Sequence, residues 1–385
     1  MNELQRILHA FDQSQQAGKR AVLATVVRTS GSVYRRPGTR MLITEDGRMV
    51  SAISGGCLEA DILERSRALL AQGKPPLLVR YDTTADDDIV FGLGLGCNGI
   101  VDVLIEPLTD QGTFQYFAFM HECLRKQHTG AIATVFAVDN VPDVNVGDRV
   151  MMKFDAPIIN QITQPNIAQR VALDNQKTLI EQRTRTQSYT FANGQIAVLL
   201  EVLRLPIRLL IFGAGYDAIP VVQLAKQLGW HVTVIDHRPA QLTRDRFPLA
   251  DHLLQCDPNQ PMSYCHLITP QTVAVVMSHH YLTDLAFLKT LIPAQLRYLG
   301  VLGPKRRMQK LWQDLAEHGI RLNLEQHQQL YNPIGLDIGA ETPEEIALAI
   351  VAEIQAVLSG RSGHSLRDRP GSIHSASESC LELAS

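Results

Sequence analysis

The chain has no Cys-x-x-Cys pair, and its six cysteines are scattered over 385 residues without a repeated spacing. That argues against structural zinc, which wants about four organised ligands, and against the cysteine-bound iron–sulfur clusters of a self-sufficient redox enzyme. An excess of one charge is also missing. The formal net charge of −3 gives no electrostatic case for nucleic acid or a membrane surface as the main partner. Nor is there a long apolar run. The longest, from Ile196 to Phe212, is broken by Glu201, Arg204 and Arg208 and reads as strand, turn and strand, not as a membrane span. The start, Met1 to Arg6, lacks the basic and apolar regions of a signal peptide. Scattered thiols behind such a start point to a reducing cytoplasm.

What is present is ordinary globular composition, 45% hydrophobic against 19% charged, at a length that accommodates two domains. Two cysteines stand out because glycines frame them: Cys57 in Ser54-Gly55-Gly56-Cys57-Leu58-Glu59, and Cys97 in Gly92-Leu93-Gly94-Leu95-Gly96-Cys97-Asn98-Gly99. Glycine lets backbone N–H groups crowd around a bound group, so a thiol in such a loop is presented to a ligand. Cys57 also falls where an alternating pattern gives way to a helical one with Leu58, Ile62, Leu69 and Leu70 on its apolar face. A helix N-terminus favours a thiolate, the form that attacks electrophiles or binds a soft metal. The alternative is that both thiols fill space in a core, as free cysteines often do.

The pattern predicts an α/β chain with an N-terminal mixed α+β domain and a Rossmann-like parallel-sheet domain. The first domain covers 1–110 and carries the Cys57 and Cys97 loops. It begins with an amphipathic helix to about residue 17, followed by strands at Ala21–Val27, Arg40–Thr44 and Met49–Ser54, a helix from Leu58, and strands near Leu77–Tyr81 and Ile100–Glu106. Residues 111–205 read as a strand-rich extension and connector, with strands at Ala131–Val138, Arg149–Phe154, Tyr189–Phe191 and Ile196–Leu203. The polar stretch Pro157–Gln187 reads as an exposed helix or connector. From Leu205-Pro206 strands and helices alternate, which implies a parallel sheet with helices on its faces over 206–358. Its last helix is marked by Thr342 as N-cap, Pro343 at the first position and Glu345 closing a capping box. Residues 359–385, rich in Ser, Gly and Arg, read as a disordered tail in which Cys380 has no assigned role.

In the second domain Gly213-Ala214-Gly215-Tyr216-Asp217-Ala218 follows a strand and opens a helix, with Asp236 ending the next strand. A dinucleotide fold uses this spacing, with pyrophosphate on the helix N-terminus and the carboxylate on a ribose, so NAD(P) is a candidate cofactor. Other polar groups fall at strand ends of the same sheet, its usual ligand edge. Ser278 and His279 either serve a ligand or cap a helix. Lys305, Arg306 and Arg307, after Gly303-Pro304, open a helix and suit an anion, or serve only solubility. Asp337, in the loop Ile334–Ala340, is placed at the same edge.

Taken together these segments resemble the XdhC/CoxI-type maturation factors of xanthine dehydrogenase and related molybdenum hydroxylases. The resemblance rests on Ser30-Gly31-Ser32 with Tyr34-Arg35-Arg36-Pro37-Gly38, the two cysteine loops, Phe212-Gly213-Ala214-Gly215, Asp236-His237-Arg238-Pro239, Leu302-Gly303-Pro304-Lys305-Arg306 and Pro333–Gly339. Two departures are Tyr216-Asp217, where many members have His-Val, and Asn98, where a glycine is frequent. The resemblance implies a chaperone that binds molybdenum cofactor (molybdopterin) transiently, helps exchange a terminal oxo ligand for sulfido with sulfur from a cysteine desulfurase, and delivers it to an apo-hydroxylase. It further implies a homodimer and an accessory role, not self-sufficient enzyme action. Cys57 and Cys97 would carry the chemistry, with Cys57 also the metal-side thiol. Gly55, Gly56, Arg35, Arg36, Gly213, Gly215, Asp236, His279, Lys305, Arg306 and Asp337 would hold the cofactor. The rival reading is an NAD(P)-dependent oxidoreductase resting on Gly213, Gly215 and Asp236.

Overall fold

The computed structural model describes residues 2–82, 99–192 and 194–368. Two compact units divide the chain, meeting in sequence at Leu205 and Pro206. The first runs α1 (Glu3–Gln16), β1 (Ala21–Gly31), β2 (Arg40–Thr44), β3 (Met49–Val50), α2 (Glu59–Gln72), β4 (Leu77–Asp82) and β5 (Gly99–Pro107), then α3 (Gln111–Lys126), β6 (Gly130–Asp139), β7 (Arg149–Lys153), β8 (Ile159–Asn160), α4 (Pro165–Glu181), β9 (Arg185–Phe191) and β10 (Gly194–Leu203). Its two five-stranded antiparallel sheets have the orders β3-β2-β1-β5-β4 and β8-β7-β6-β10-β9. The second half therefore repeats the first, helix for helix and strand for strand.

The repeat extends to residue register. Thr25 faces Arg40 as Thr134 faces Arg149, and Leu23 faces Glu106 as Ile132 faces Glu201. Each hairpin closes alike, Gly38 N–H donating to Val26 O and Gly147 N–H to Val135 O, both at 2.8 Å. The halves are bound by reciprocal buried ion pairs. Arg40 of the first contacts Glu201 of the second, and Arg149 of the second contacts Glu106 of the first at 2.8 Å. Both guanidinium groups lie over the Tyr116 ring, whose hydroxyl accepts from Arg40 Nε at 2.6 Å. Burial pushes the Tyr116 hydroxyl up to about 12, so it stays protonated.

Alternating residues of β1 serve different cores, as a pleated strand requires. Val22, Ala24 and Val26 join Ile62, Leu69 and Leu70 of α2, whereas Ala21 and Leu23 join α1, α3 and the Ile132 and Met151 side of the other sheet. Two expectations needed correction here. The stretch read as an exposed helix or connector contains α4, which buries Ile167, Val171 and Leu179 on the second sheet. Its polar composition misleads because Asn175 is buried with partners, its amide donating to Ala131 O and Val150 O. The strand expected over Met49–Ser54 stops at Val50, since Ser51 takes φ 69° and the Ile53 and Ser54 N–H groups turn to Glu59.

The second unit is a six-stranded sheet of order β13-β12-β11-β14-β15-β16, parallel throughout. Its elements are β11 (Arg208–Phe212), α5 (Ala218–Gln227), β12 (His231–Asp236), β13 (His252–Gln255), β14 (Val273–Val276), α6 (Tyr281–Leu291), β15 (Tyr298–Val301), α7 (Lys305–Glu317), α8 (Leu324–Gln329), β16 (Leu330–Tyr331) and α9 (Pro343–Leu358). Helices α5 and α9 bury their apolar faces on one side, α6 and α7 on the other. The α9 capping box forms as expected, with Thr342 accepting from Glu345 N. Among the described residues, no helix is long and apolar enough to cross a membrane. Cys97 and Cys380 lie outside the described residues.

Candidate functional site

In the first unit the Ser54–Glu59 segment folds into a turn around one hydroxyl. Ser54 Oγ accepts from the N–H groups of Gly56, Cys57 and Leu58, each at 3.2 Å, and from the Cys57 thiol at 3.3 Å. Ser54 Oγ in turn donates to Glu59, whose carboxylate also accepts from the N–H groups of Ile53, Ser54 and Leu58. Burial opposes the charge on Glu59, but these hydrogen bonds outweigh it and hold the carboxyl below the usual carboxylate range. Cys57 is half-buried, packed on one side against the α2 core and reached from the other. Gly56 has φ 113°, which L side chains avoid, and among the described residues no heavy atom lies within 4 Å of where a Cβ would stand on Gly55 or Gly56. The thiol thus sits beside bare backbone, one residue before the Leu58 N-cap of α2.

Comparing the halves sharpens this. The link from β3 to α2 spans 51–58, its counterpart from β8 to α4 only 161–164. The surplus length in the first half carries the glycine-framed Cys57. A core role would not demand extra loop in one repeat alone.

Arg35 lies on the β1–β2 hairpin and is clamped by Glu3 of α1 at 2.6 Å, while its buried Nε has no hydrogen-bond partner among the described residues. Arg36, exposed on the same turn, gives its carbonyl to the Thr39 N–H. No hydrogen bond or ion pair between described residues joins Arg35 to the Cys57 turn.

In the second unit the glycine turn is built as expected but occupied differently. Gly213 has φ 130°, and a Cβ there would strike Met277 O at 2.5 Å, so the turn rests directly on the end of β14. The Asp236 carboxylate, expected to face a ribose, is taken. Its Oδ2 accepts from Ala214 N and from Arg238 Nη2, both at 2.7 Å, and its Oδ1 from Arg238 N and Nε. Burial works against its charge, yet Arg238 and the Ala214 N–H hold it below the usual range. The space beside Gly215 holds the Asp217 carboxylate, which meets His279 Nε2 at 2.6 Å. His279 adopts φ 60°, unusual for a non-glycine residue and the kind of strain that clusters at functional sites.

Ser278 and Asp284 lie beneath, both buried, and Arg307 closes the network on Asp284 at 2.6 Å. His280, not Ser278 or His279, caps α6 by accepting from Thr283 N. Lys305 and Arg306 are exposed at the start of α7, which has no side-chain cap. Asp337 is exposed in the loop before α9. The structure thus joins Gly213, Gly215, Asp236 and His279 in one constellation and links Lys305 and Arg306 to it only through their neighbour Arg307. Sequence reasoning missed Asp217 and Asp284 as partners, and Ser54 and Glu59 as the frame of Cys57, and it read Arg307 for an anion where the structure pairs it with Asp284. The Ser-to-Glu spacing around a helix start was the available signal for the latter pair.

Comparison with known proteins follows this geometry. Residues 209–354 match the XdhC Rossmann domain, and residues 14–82 match the XdhC and CoxI family. A Bacillus subtilis protein named as a probable subunit of xanthine dehydrogenase is 33% identical over 92% of this chain and 97% of its own. The Escherichia coli "Molybdenum cofactor insertion chaperone PaoD" is 22% identical over 98% of this chain and 92% of its own. A Bacillus halodurans crystal structure described as a xanthine dehydrogenase superposes with a TM-score of 0.73 at 28% identity, covering 96% of this chain and 98% of the other. With its Rossmann unit, its cysteine turn and a relative of this identity along nearly its whole length, the chain belongs to the XdhC and CoxI family.

Proposed function

We propose that this protein is a maturation factor that binds molybdenum cofactor as cargo, supports its sulfuration and inserts it into xanthine dehydrogenase or a related molybdenum hydroxylase. The observation that carries the reading is the Cys57 turn, a half-buried thiol next to two glycines whose Cβ positions meet no atom of the described residues. A soft, thiol-ligated metal suits a cysteine sulfur, and the side-chain-free backbone at Gly55 and Gly56 lets a bulky cargo approach that sulfur closely. The name of the Escherichia coli relative agrees with this.

In this reading Cys57 meets the metal end. Its thiol donates to Ser54 Oγ, which in turn donates to the Glu59 carboxylate, and this chain fixes the sulfur at the turn. Cys97, Arg35 and Arg36 are assigned to the same end. In the second unit Gly213, Gly215, Asp236, His279, Lys305, Arg306 and Asp337 are assigned to cofactor binding, Asp236 as the carboxylate that holds the glycine turn and Arg238 in place. Partners in this reading are the apo-hydroxylase, a cysteine desulfurase supplying sulfur, and a second copy of the chain in a homodimer, all in the cytoplasm.

The oxidoreductase reading loses its main support at Asp236, because a carboxylate engaged by Arg238 and the glycine turn is not offered to a ribose. Purification after cofactor-replete expression, with molybdopterin, molybdenum and nicotinamide nucleotide assayed together, tests the choice. Molybdopterin and molybdenum in matched amounts without nicotinamide are expected. Nicotinamide nucleotide without pterin would overturn the proposal.

A further inference from the structure

A cavity of about 590 Å³ opens at the carboxyl ends of β12 and β13, beside α6, and of the site residues described above only His280 lines it. Its volume falls within the roughly 300–1,000 Å³ typical of small-molecule sites. One wall is a single face of α6, with Leu282, Leu285, Ala286 and Lys289 at the spacing of successive helical turns. Opposite stand Gln255, Cys256, Asp257 and Pro258, where β13 ends. The apolar wall and Pro258 suit a flat ring.

The polar groups identify what kind of ring. Asp257 is spent on its own turn, accepting from Asn259 N at 2.9 Å and from Gln260 Nε2 at 3.2 Å. Burial pushes the Cys256 thiol up to about 11, so it stays protonated and serves as floor. Gln255 is exposed, and among the described residues its amide makes no hydrogen bond. An amide offers a donor and an acceptor side by side, the complement of a heterocycle edge that carries both. Lys289 is half-buried and, among the described residues, has no carboxylate in ion-pair range. A partly desolvated, unpaired ammonium in a cavity wall calls for an anion.

We infer that this cavity receives a phosphorylated nitrogen heterocycle, its ring edge read by Gln255 and its phosphate held by Lys289. In the cofactor-binding reading the ring is a pterin, and a nucleotide base is the competing occupant that the test compares. The inference rests on the cofactor-binding reading and gives that cargo its pterin subsite.

The test uses the full chain and three probes, a 6-alkylpterin phosphate, the same pterin without phosphate and 5′-AMP, followed by pterin fluorescence or calorimetry. Wild type should bind the pterin phosphate more tightly than either other probe. Lys289→Ala should weaken the phosphorylated pterin about tenfold and leave the unphosphorylated one unchanged, and Gln255→Leu should weaken both pterins about tenfold. Leu282→Trp, at an exposed position, should block all binding by filling the mouth. Tighter binding of 5′-AMP would overturn the pterin assignment, and unchanged affinity in all three variants would overturn the site. If those variants still copurify with whole molybdenum cofactor at the wild-type level, only the subsite fails. If wild type itself copurifies with none, the function proposed above fails instead.

Discussion

Ser54 and Cys57 make separable contributions that a pair of alanine variants distinguishes. Ser54→Ala removes the acceptor shared by three N–H groups and the donor to Glu59, so it should cost about 1–3 kcal/mol of stability and reduce cofactor retention as the turn loosens. Cys57→Ala removes a half-buried sulfur and should change stability by only about 0.5 kcal/mol while retention falls as far or further. Thermal melts and a molybdopterin assay on both proteins read this out, and full retention in Cys57→Ala would return the thiol to a packing role. Cys57 was legible in the sequence because glycines are conspicuous. The hydroxyl that organises it was not, since a serine directly before a glycine pair has many ordinary uses and only coordinates show three N–H groups converging on one oxygen. Asp217 and His279 were hidden for a similar reason, lying in different loops that only the parallel sheet brings within 2.6 Å.

Among the elements, the alternation of strands and helices in the second unit was legible, because buried parallel strands are short, continuous apolar runs, although the short α8 and β16 were not. The helix α3 escaped pattern reading. Its Phe114, Tyr116, Phe117 and Phe119 have strand-like propensities, and the Asp110 cap and the basic Arg125 and Lys126 that mark its ends are single residues. The strand end at Asp236 carries a prediction about acid stability. Its carboxyl lies below the ordinary value in the folded chain, so its contribution is fully present above the unfolded value of about 3.9. That contribution falls as pH drops from there through the folded value, because only the unfolded chain takes up the proton in that window. Asp236→Asn should therefore lower stability by about 1–3 kcal/mol at neutral pH and flatten the acid limb of a denaturation profile below about pH 4. An acid limb as steep as that of wild type would place the sensitivity in other carboxyls.

At the scale of the whole molecule, the first unit's stability depends on charges that each half places in the other. Arg40→Met strands Glu201 and takes a donor from Tyr116, and should cost about 3–5 kcal/mol. Arg40→Met with Glu201→Met removes both charges and should recover most of that loss, which a double-mutant cycle by chemical denaturation measures. Equal destabilisation in single and double variants would show that packing, not charge pairing, holds the halves together. The repeat itself was not legible, because what the halves share is register and a few polar contacts, while their apolar residues differ freely. The Arg40–Glu201 and Arg149–Glu106 pairs have a further consequence. An arrangement in which one copy's arginine meets the other's glutamate, and the converse, is the self-complementary geometry of an isologous two-fold interface. The first unit is thus organised as a homodimer whose two members share one chain. Such tethering frees each member from identity, so one can lengthen the loop around a cysteine while the other keeps its counterpart short and serves as its template.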